Sequence, residues 1–199
     1  AASDVYKRQL QTATTASYNV GVGQATLYSC TTGYGNTAVG RSAAGSLTTG
    51  INNTAIGKDA LHYNTTASNN VAIGTNALLN NTTGTQNVAI SNDVLRTNTT
   101  GSYNIAVGLN ALTANTNGEH NTAIGRIALA TNTTGGNNVA VGNSALYNNT
   151  VGNDMVACGE QALYSSTTGG ANTAIGLDAL YYNTTCLLYT SPSPRDRVQ

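Results

Sequence analysis

The chain has 199 residues, of which 8% are charged, with eight basic and eight acidic side chains. Such sparse charge offers no electrostatic footprint for nucleic acid or for an anionic membrane surface. Hydrophobic residues make up 40% of a chain rich in Asn, Thr and Gly, which argues against membrane insertion, and the many β-branched residues argue against disorder.

The two ends of the chain match no internal pattern. Residues 1–9 (AASDVYKRQ) and 186–199, which begin CLLYTSPSPRD, resemble translated sequencing-adapter sequence. We therefore expect residues 1–9 and 186–199 to be non-native flanks and residues 10–185 to be the natural segment. That segment carries four basic and six acidic side chains, a net charge of −2.

A gapless 17-residue repeat fills the segment between the flanks. Its consensus is N-T-A-I-G-x-x-A-L-x-x-N-T-T-G-x-x, and we number its positions 1 to 17 from the first Asn. A constant period means that every unit contacts its neighbours in the same way, as in a solenoid. The ten units begin at residues 19, 36, 53, 70, 87, 104, 121, 138, 155 and 172.

Positions 1 to 5 of each unit predict a short strand, because position 4 is β-branched and position 5 is Gly in nine of ten units. We expect position 4 to form an Ile/Val ladder in the core, Leu at position 9 a second ladder, and Gly at position 5 to permit positive φ. Asn at position 1 and Thr at position 13 are expected to form polar ladders between neighbouring turns. The A-L pair at positions 8 and 9 predicts either a second strand or one helical turn. The expected fold class is all-β, a repetitive parallel β-roll or β-solenoid of ten 17-residue turns.

The core of one such coil is thin. One Ile, one Leu and two Ala per turn bury little apolar surface against the conformational entropy of ordering 17 residues. Small residues at positions 3, 5 and 8 indicate close approach to another surface. We therefore expect a homotrimer around a common axis in preference to a monomeric solenoid.

The strand phrase also resembles a known family. The residues N-N-V-A-I-G at 69–74 and N-T-A-I-G at 172–176 are similar to the core of the head repeats of YadA-like trimeric autotransporter adhesins. The longer unit resembles arrays in bacterial surface and phage tail-fibre proteins. The resemblance spans residues 10–185 and implies a left-handed, trimeric β-roll in an extracellular adhesive fibre at a bacterial surface or in a phage tail. It also implies a host-surface protein or glycan as receptor. The period of 17 is longer than that of the usual adhesin-head unit, which implies a larger turn.

Candidate chemical sites are scarce. His62 and His120 occupy different repeat positions, the carboxylates scatter, and Cys30 and Cys158 lie more than seven turns apart. We therefore expect no enzyme, no catalytic or metal-binding residue, no cofactor and no disulfide between these two cysteines.

Four tyrosines share position 10, outside the predicted core. They either face a partner, since exposed aromatics stack on sugars or proteins, or pack over a neighbouring turn. These candidate partner-facing residues are Tyr28, Tyr147, Tyr164 and Tyr181.

Two further patterns remain open. N-x-T sequons are either turn residues or glycan acceptors; they begin at Asn64, Asn81, Asn98, Asn132 and Asn183. The Thr column at position 13 allows an alternative function, a monomeric β-solenoid with a ligand- or ice-binding Thr face. Adjacent Thr residues at positions 13 and 14 argue against it, because neighbours in a strand point to opposite faces.

Overall fold

The structure is a computed structural model that describes residues 9–185 and the backbone of residues 190–191. It is an all-β parallel solenoid of about ten 17-residue turns, which confirms the predicted fold class. The described part contains no helix, and so none long and apolar enough to cross a membrane. Residues 1–8, 186–189 and 192–199, which include most of both predicted flanks, lie outside the described residues.

Each turn contributes one three-residue strand, formed by positions 2 to 4 of the repeat. A two-residue strand follows the last complete turn. The strands are β1 Val20–Val22, β2 Thr37–Val39, β3 Thr54–Ile56, β4 Val71–Ile73, β5 Val88–Ile90, β6 Ile105–Val107, β7 Thr122–Ile124, β8 Val139–Val141, β9 Val156–Cys158, β10 Thr173–Ile175 and β11 Thr190–Ser191.

The strands form one parallel sheet in chain order, and each residue pairs with the residue 17 positions later. Val20 therefore lies beside Thr37, and Thr37 beside Thr54. The same offset joins β10 to β11, where Thr173 pairs with Thr190. The constant 17-residue period of the sequence thus produces the same hydrogen-bonding register between every pair of neighbouring strands.

The core lies inside the single coil and is built from positions 3, 8 and 9. In the turn that begins at Asn104, Ala106, Ala111 and Leu112 are completely buried, and equivalent residues are buried along the array. The small residues at positions 3 and 8 therefore approach their own coil, which corrects the expectation that they approach another surface.

The predicted core ladder at position 4 is wrong. The β-branched residues do stack from turn to turn, but their side chains point outwards and none is buried. Successive strand residues face opposite sides of a sheet, so turning Ala at position 3 inwards turns positions 2 and 4 outwards.

The A-L segment is neither a strand nor a helical turn. It belongs to a turn in which positions 7 and 9 have positive φ, as in Asn110 at 57° and Leu112 at 50°. A left-handed residue with a side chain costs roughly 1–2 kcal/mol. Complete burial of Leu112 and the bond from its N–H to the Ala128 carbonyl, 3.0 Å, hold that conformation.

Two ladders of buried Asn side chains run along the coil. At position 1, Nδ2 of Asn104 donates to Oδ1 of Asn87 (3.2 Å) and to the Gly118 carbonyl (2.9 Å). Its own Oδ1 accepts from the backbone N–H of Asn121 at 3.0 Å. At position 12, Nδ2 of Asn115 donates to Oδ1 of Asn98 at 2.8 Å. Such bonding satisfies polar groups that would be costly to bury alone.

Candidate functional site

The outer face of the sheet is the most distinctive surface of the array. It is formed by the side chains of positions 2 and 4, which flank position 3, a buried Ala in β2 to β10 and Gly21 in β1. We call this surface the outer sheet face. Its residues, by strand from β1 to β10, are Val20 and Val22, Thr37 and Val39, Thr54 and Ile56, Val71 and Ile73, Val88 and Ile90, Ile105 and Val107, Thr122 and Ile124, Val139 and Val141, Val156 and Cys158, and Thr173 and Ile175.

No residue of this face is charged, and every one is partly or largely accessible. Ile175 is 51% exposed and Ile124 is 41% exposed, although β-branched residues of this kind are usually buried. Ten strands at ~4.8 Å spacing and a width of about 10 Å give a face of roughly 500 Å². Apolar patches of this size on soluble proteins often mark interaction sites.

The predicted tyrosines of position 10 divide into two groups. Tyr147, Tyr164 and Tyr181 lie in successive turns and stack in parallel, with ring centroids 5.3 Å and 4.9 Å apart. Tyr28 is half-buried, with Gly45 at position 10 of the following turn. The ring faces inside the stack contact each other. These three tyrosines therefore pack over neighbouring turns, the second of the two alternatives.

The stack changes the chemistry of its last member. Desolvation by burial, followed by the neighbouring hydroxyls of Tyr164 and Tyr182 and the carboxylate of Asp178, raises the pKa of Tyr181. The phenol therefore keeps its proton to higher pH than a free tyrosine. Tyr181 also packs edge-on against Tyr182, which is 79% exposed.

The Thr column at position 13 is part of the turn-to-turn bonding. The hydroxyl of Thr99 donates to the carbonyl of Thr116 at 3.0 Å, and that of Thr116 to the carbonyl of Thr133 at 3.0 Å. These hydroxyl protons are therefore engaged within the chain. The Thr residues at position 14, including Thr100 and Thr134, are exposed.

The Asn side chains of four of the N-x-T sequons are buried inside the coil. Asn64, Asn81, Asn98 and Asn132 have no accessible surface and donate to a carbonyl three residues later. A glycan cannot be attached to these side chains in the folded coil. They are turn residues, the first of the two alternatives for this pattern.

Charged and nucleophilic side chains do not converge in the described residues. No three His, Cys, Asp or Glu side chains there are placed to hold a metal ion. His62 Nδ1 lies 3.0 Å from the Ser42 carbonyl, whereas His120 stacks on Tyr103 at 4.8 Å. Both Cys30 and Cys158 are free thiols, and burial raises the pKa of Cys30 despite a bond to the Gly33 carbonyl.

The sequence interpretation missed the outer sheet face as a site. A signal was present, because position 2 is β-branched in all ten units and position 4 in nine, around a constant small residue. Comparisons with protein-family models, with curated proteins and with solved structures found no match to this chain.

Proposed function

We propose that the array is a structural and adhesive segment of an extracellular fibre, in which three copies pack their outer sheet faces around a common axis. The observation that carries the proposal is the uncharged face of mostly β-branched, largely apolar residues that repeats over ten strands. Contact between copies would remove this face from water, at about 25 cal/mol for each Å² buried.

The number of copies, the left-handed coil and the surface location come from the resemblance to YadA-like head repeats. A rod of ten turns at ~4.8 Å each extends roughly 48 Å. Its rigidity would come from the parallel ladder and the buried Asn columns. Such a segment acts by geometry, holding a receptor-binding surface at a fixed distance from the particle or cell that carries it.

Oligomeric state tests the proposal directly. The purified full chain is expected to sediment as a trimer at micromolar concentration. Ile124→Glu places a charge on the outer sheet face and is expected to give a monomer with unchanged β-sheet circular dichroism. Thr134→Glu, in the same turn but at exposed position 14, is the matched control and is expected to remain trimeric.

A folded wild-type monomer at these concentrations would exclude the trimeric fibre. The adhesive part is tested separately by binding of the labelled trimer to immobilised glycans and to intact cells. Saturable binding supports adhesion, whereas its absence restricts the role to that of a spacer.

The second candidate is an ice-binding monomer. It is favoured by one observation, the column of exposed Thr at position 14 that recurs in eight of the ten turns. Thermal hysteresis of the monomeric fraction would support it. Freezing and melting at the same temperature would exclude it.

A further inference from the structure

One turn of the array contains a dipeptide that occurs nowhere else in the chain. Asn117 is followed by Gly118, whereas every other Asn is followed by a residue with a side chain. The dipeptide arises because Asn117 replaces the Thr that stands at position 14 in eight of the ten units, while Gly is the common residue at position 15. It lies in the sixth unit, near the middle of the rod.

An Asn–Gly bond is open to an internal reaction. The backbone nitrogen of the glycine attacks the side-chain carbonyl carbon of the asparagine and forms a C–N bond. Ammonia leaves with the amide nitrogen and the proton of the attacking N–H, and a five-membered succinimide ring remains. Glycine favours this step because it has no Cβ to crowd its nitrogen. Water then opens the ring at either carbonyl and gives aspartate or isoaspartate.

The Asn117 side chain is free to approach the next backbone nitrogen. It is exposed, and no hydrogen bond in the described part of the chain ties it to an adjacent turn. Two other exposed asparagines are tied in this way. Oδ1 of Asn92 accepts from the N–H of Thr75 at 3.1 Å. Oδ1 of Asn153 accepts from the N–H of Gly136 at 2.7 Å.

The attacking nitrogen is also unoccupied. Among the described residues, the N–H of Gly118 donates to no carbonyl, whereas the N–H of Gly84 at the same repeat position donates to the Thr99 carbonyl at 3.4 Å. Glycine is nevertheless required here, because a Cβ at Gly118 would overlap Oδ1 of Asn115 and the carbonyl oxygen of Gly135. The repeat therefore keeps the reactive glycine and can lose the reaction only by changing the asparagine.

A neighbouring hydroxyl is placed to assist the reaction. Oγ1 of Thr116 lies 3.0 Å from Oδ1 of Asn117 and 3.0 Å from the carbonyl oxygen of Thr133. Its single proton can be donated to either oxygen. When it is donated to Oδ1, it polarises the amide carbonyl and stabilises the negative charge that develops on this oxygen during attack.

Isoaspartate would disturb the buried polar ladders. Its main chain runs through the former side-chain methylene, so one extra backbone atom separates Asn117 from Gly118. The Gly118 carbonyl accepts from Nδ2 of Asn104 at 2.9 Å and from Nδ2 of Asn115 at 3.0 Å. A shift of this carbonyl therefore disrupts both Asn ladders at once, and buried polar groups without partners are costly.

We propose that Asn117 is a self-modification site, at which the folded array converts Asn117 to aspartate and isoaspartate and thereby weakens its sixth turn. The reaction consumes only water and releases ammonia. This inference goes beyond the proposed fibre function and holds for one copy as for three, because position 14 lies outside the outer sheet face. In a fibre it would give the rod a limited lifetime.

Mass spectrometry of the aged full chain tests the site. The folded chain is incubated at mildly alkaline pH, which favours loss of the N–H proton, and is then digested with trypsin. In the peptide of residues 97–126, Asn117 is expected to gain the mass of an amide-to-acid exchange several-fold faster than Asn92 or Asn153 does in its own peptide. Fragmentation by electron transfer is expected to identify isoaspartate as one product.

The free tryptic peptide is the reference for this reaction, because no folded turn restrains it. Conversion of Asn117 in the free peptide but not in the folded chain would overturn the proposal, since the turn would then prevent the attack. Asn117→Thr, which restores the repeat, is expected to abolish the mass change at this position. Asn117→Gln keeps an amide but requires a larger ring, and is expected to react far more slowly.

Thermal denaturation tests the structural effect. Ion exchange separates aged chains that have gained a negative charge from unreacted chains. Asn117→Asp carries the same charge on a normal backbone and is expected to melt with the fresh wild type. The aged, charged fraction is expected to melt several degrees lower, because part of it contains isoaspartate. If this fraction melts together with Asn117→Asp, isoaspartate does not weaken the coil and that part of the proposal is overturned.

Discussion

Glycine at position 5 is required by both backbone conformation and space. Gly108 has a φ of 126°, and a Cβ added there would lie 2.5 Å from the carbonyl oxygen of Gly125. The sequence predicted the positive φ, because nine of ten units have Gly here. It could not predict the close approach, which depends on how tightly neighbouring turns stack. Ser91, the tenth residue of this column, has a φ of 128°.

Ser91→Gly is expected to stabilise the array. Residues with a side chain in such sparsely populated regions cost roughly 1–3 kcal/mol, so the free energy of unfolding should rise by about 1 kcal/mol or more. The reverse change in the following turn, Gly108→Ser, is the control and should lower it. Urea denaturation followed by circular dichroism measures both, and an unchanged or lower midpoint for Ser91→Gly would contradict the strain argument.

The sequence of a three-residue strand does not clearly show which of its residues face the core. Alternation requires either position 3 or positions 2 and 4 to face the core, and a one-residue shift exchanges the two faces. Hydrophobicity alone favours the β-branched residues as core, and that prediction is wrong. The coil interior already holds Leu at position 9 and Ala at position 8, and Ala at position 3 completes it.

Only one of the two buried Asn ladders was predicted from the sequence. Polar ladders at positions 1 and 13 were expected from the repeat, and the structure contains both. A second buried amide ladder at position 12 was missed, since N-T-T read locally as a surface turn. Met155 breaks the first ladder, and in the same turn Ser166 replaces the position 12 Asn and lies 3.6 Å from the Met155 sulfur.

Asn104→Ala is expected to destabilise the array strongly. The change removes the side-chain oxygen that accepts from both the backbone N–H and the Nδ2 of Asn121, so each of these two buried groups loses that acceptor. Buried groups left unsatisfied cost about 1–3 kcal/mol each, so the free energy of unfolding should fall by at least 2 kcal/mol. Asn117→Ala, at an exposed position of the same turn, should change it by less than ~0.5 kcal/mol. Equal effects of the two substitutions in thermal denaturation would argue against a role of the ladder in stability.

At the scale of the whole molecule, the stability of a solenoid is approximately the sum of the stabilities of its turns and of the contacts between neighbouring turns. The repeat period therefore predicted the sheet order and the register of the pairs from β1 to β10. It did not predict the pairing of β10 with β11, because Thr190 and Ser191 belong to the segment that we expected to be a flank. The surface through which copies could assemble was harder to predict from the sequence. It depends on whether position 3 or positions 2 and 4 of each three-residue strand face outwards.

Removing one complete turn is expected to leave the fold intact. Deleting residues 104–120 joins Tyr103 to Asn121, so every later residue keeps its place in the repeat. The rod should shorten by ~4.8 Å and retain its β-sheet circular dichroism, which small-angle scattering and spectroscopy can measure. Deleting residues 104–119 removes one residue fewer and shifts all later residues by one position. Its core would then receive the branched residues of position 2 or 4 in place of Ala, and the Asn ladders would lose their partners at the junction. We expect this second variant to unfold at a much lower temperature; equal melting temperatures for the two deletions would mean that register across the junction does not govern stability.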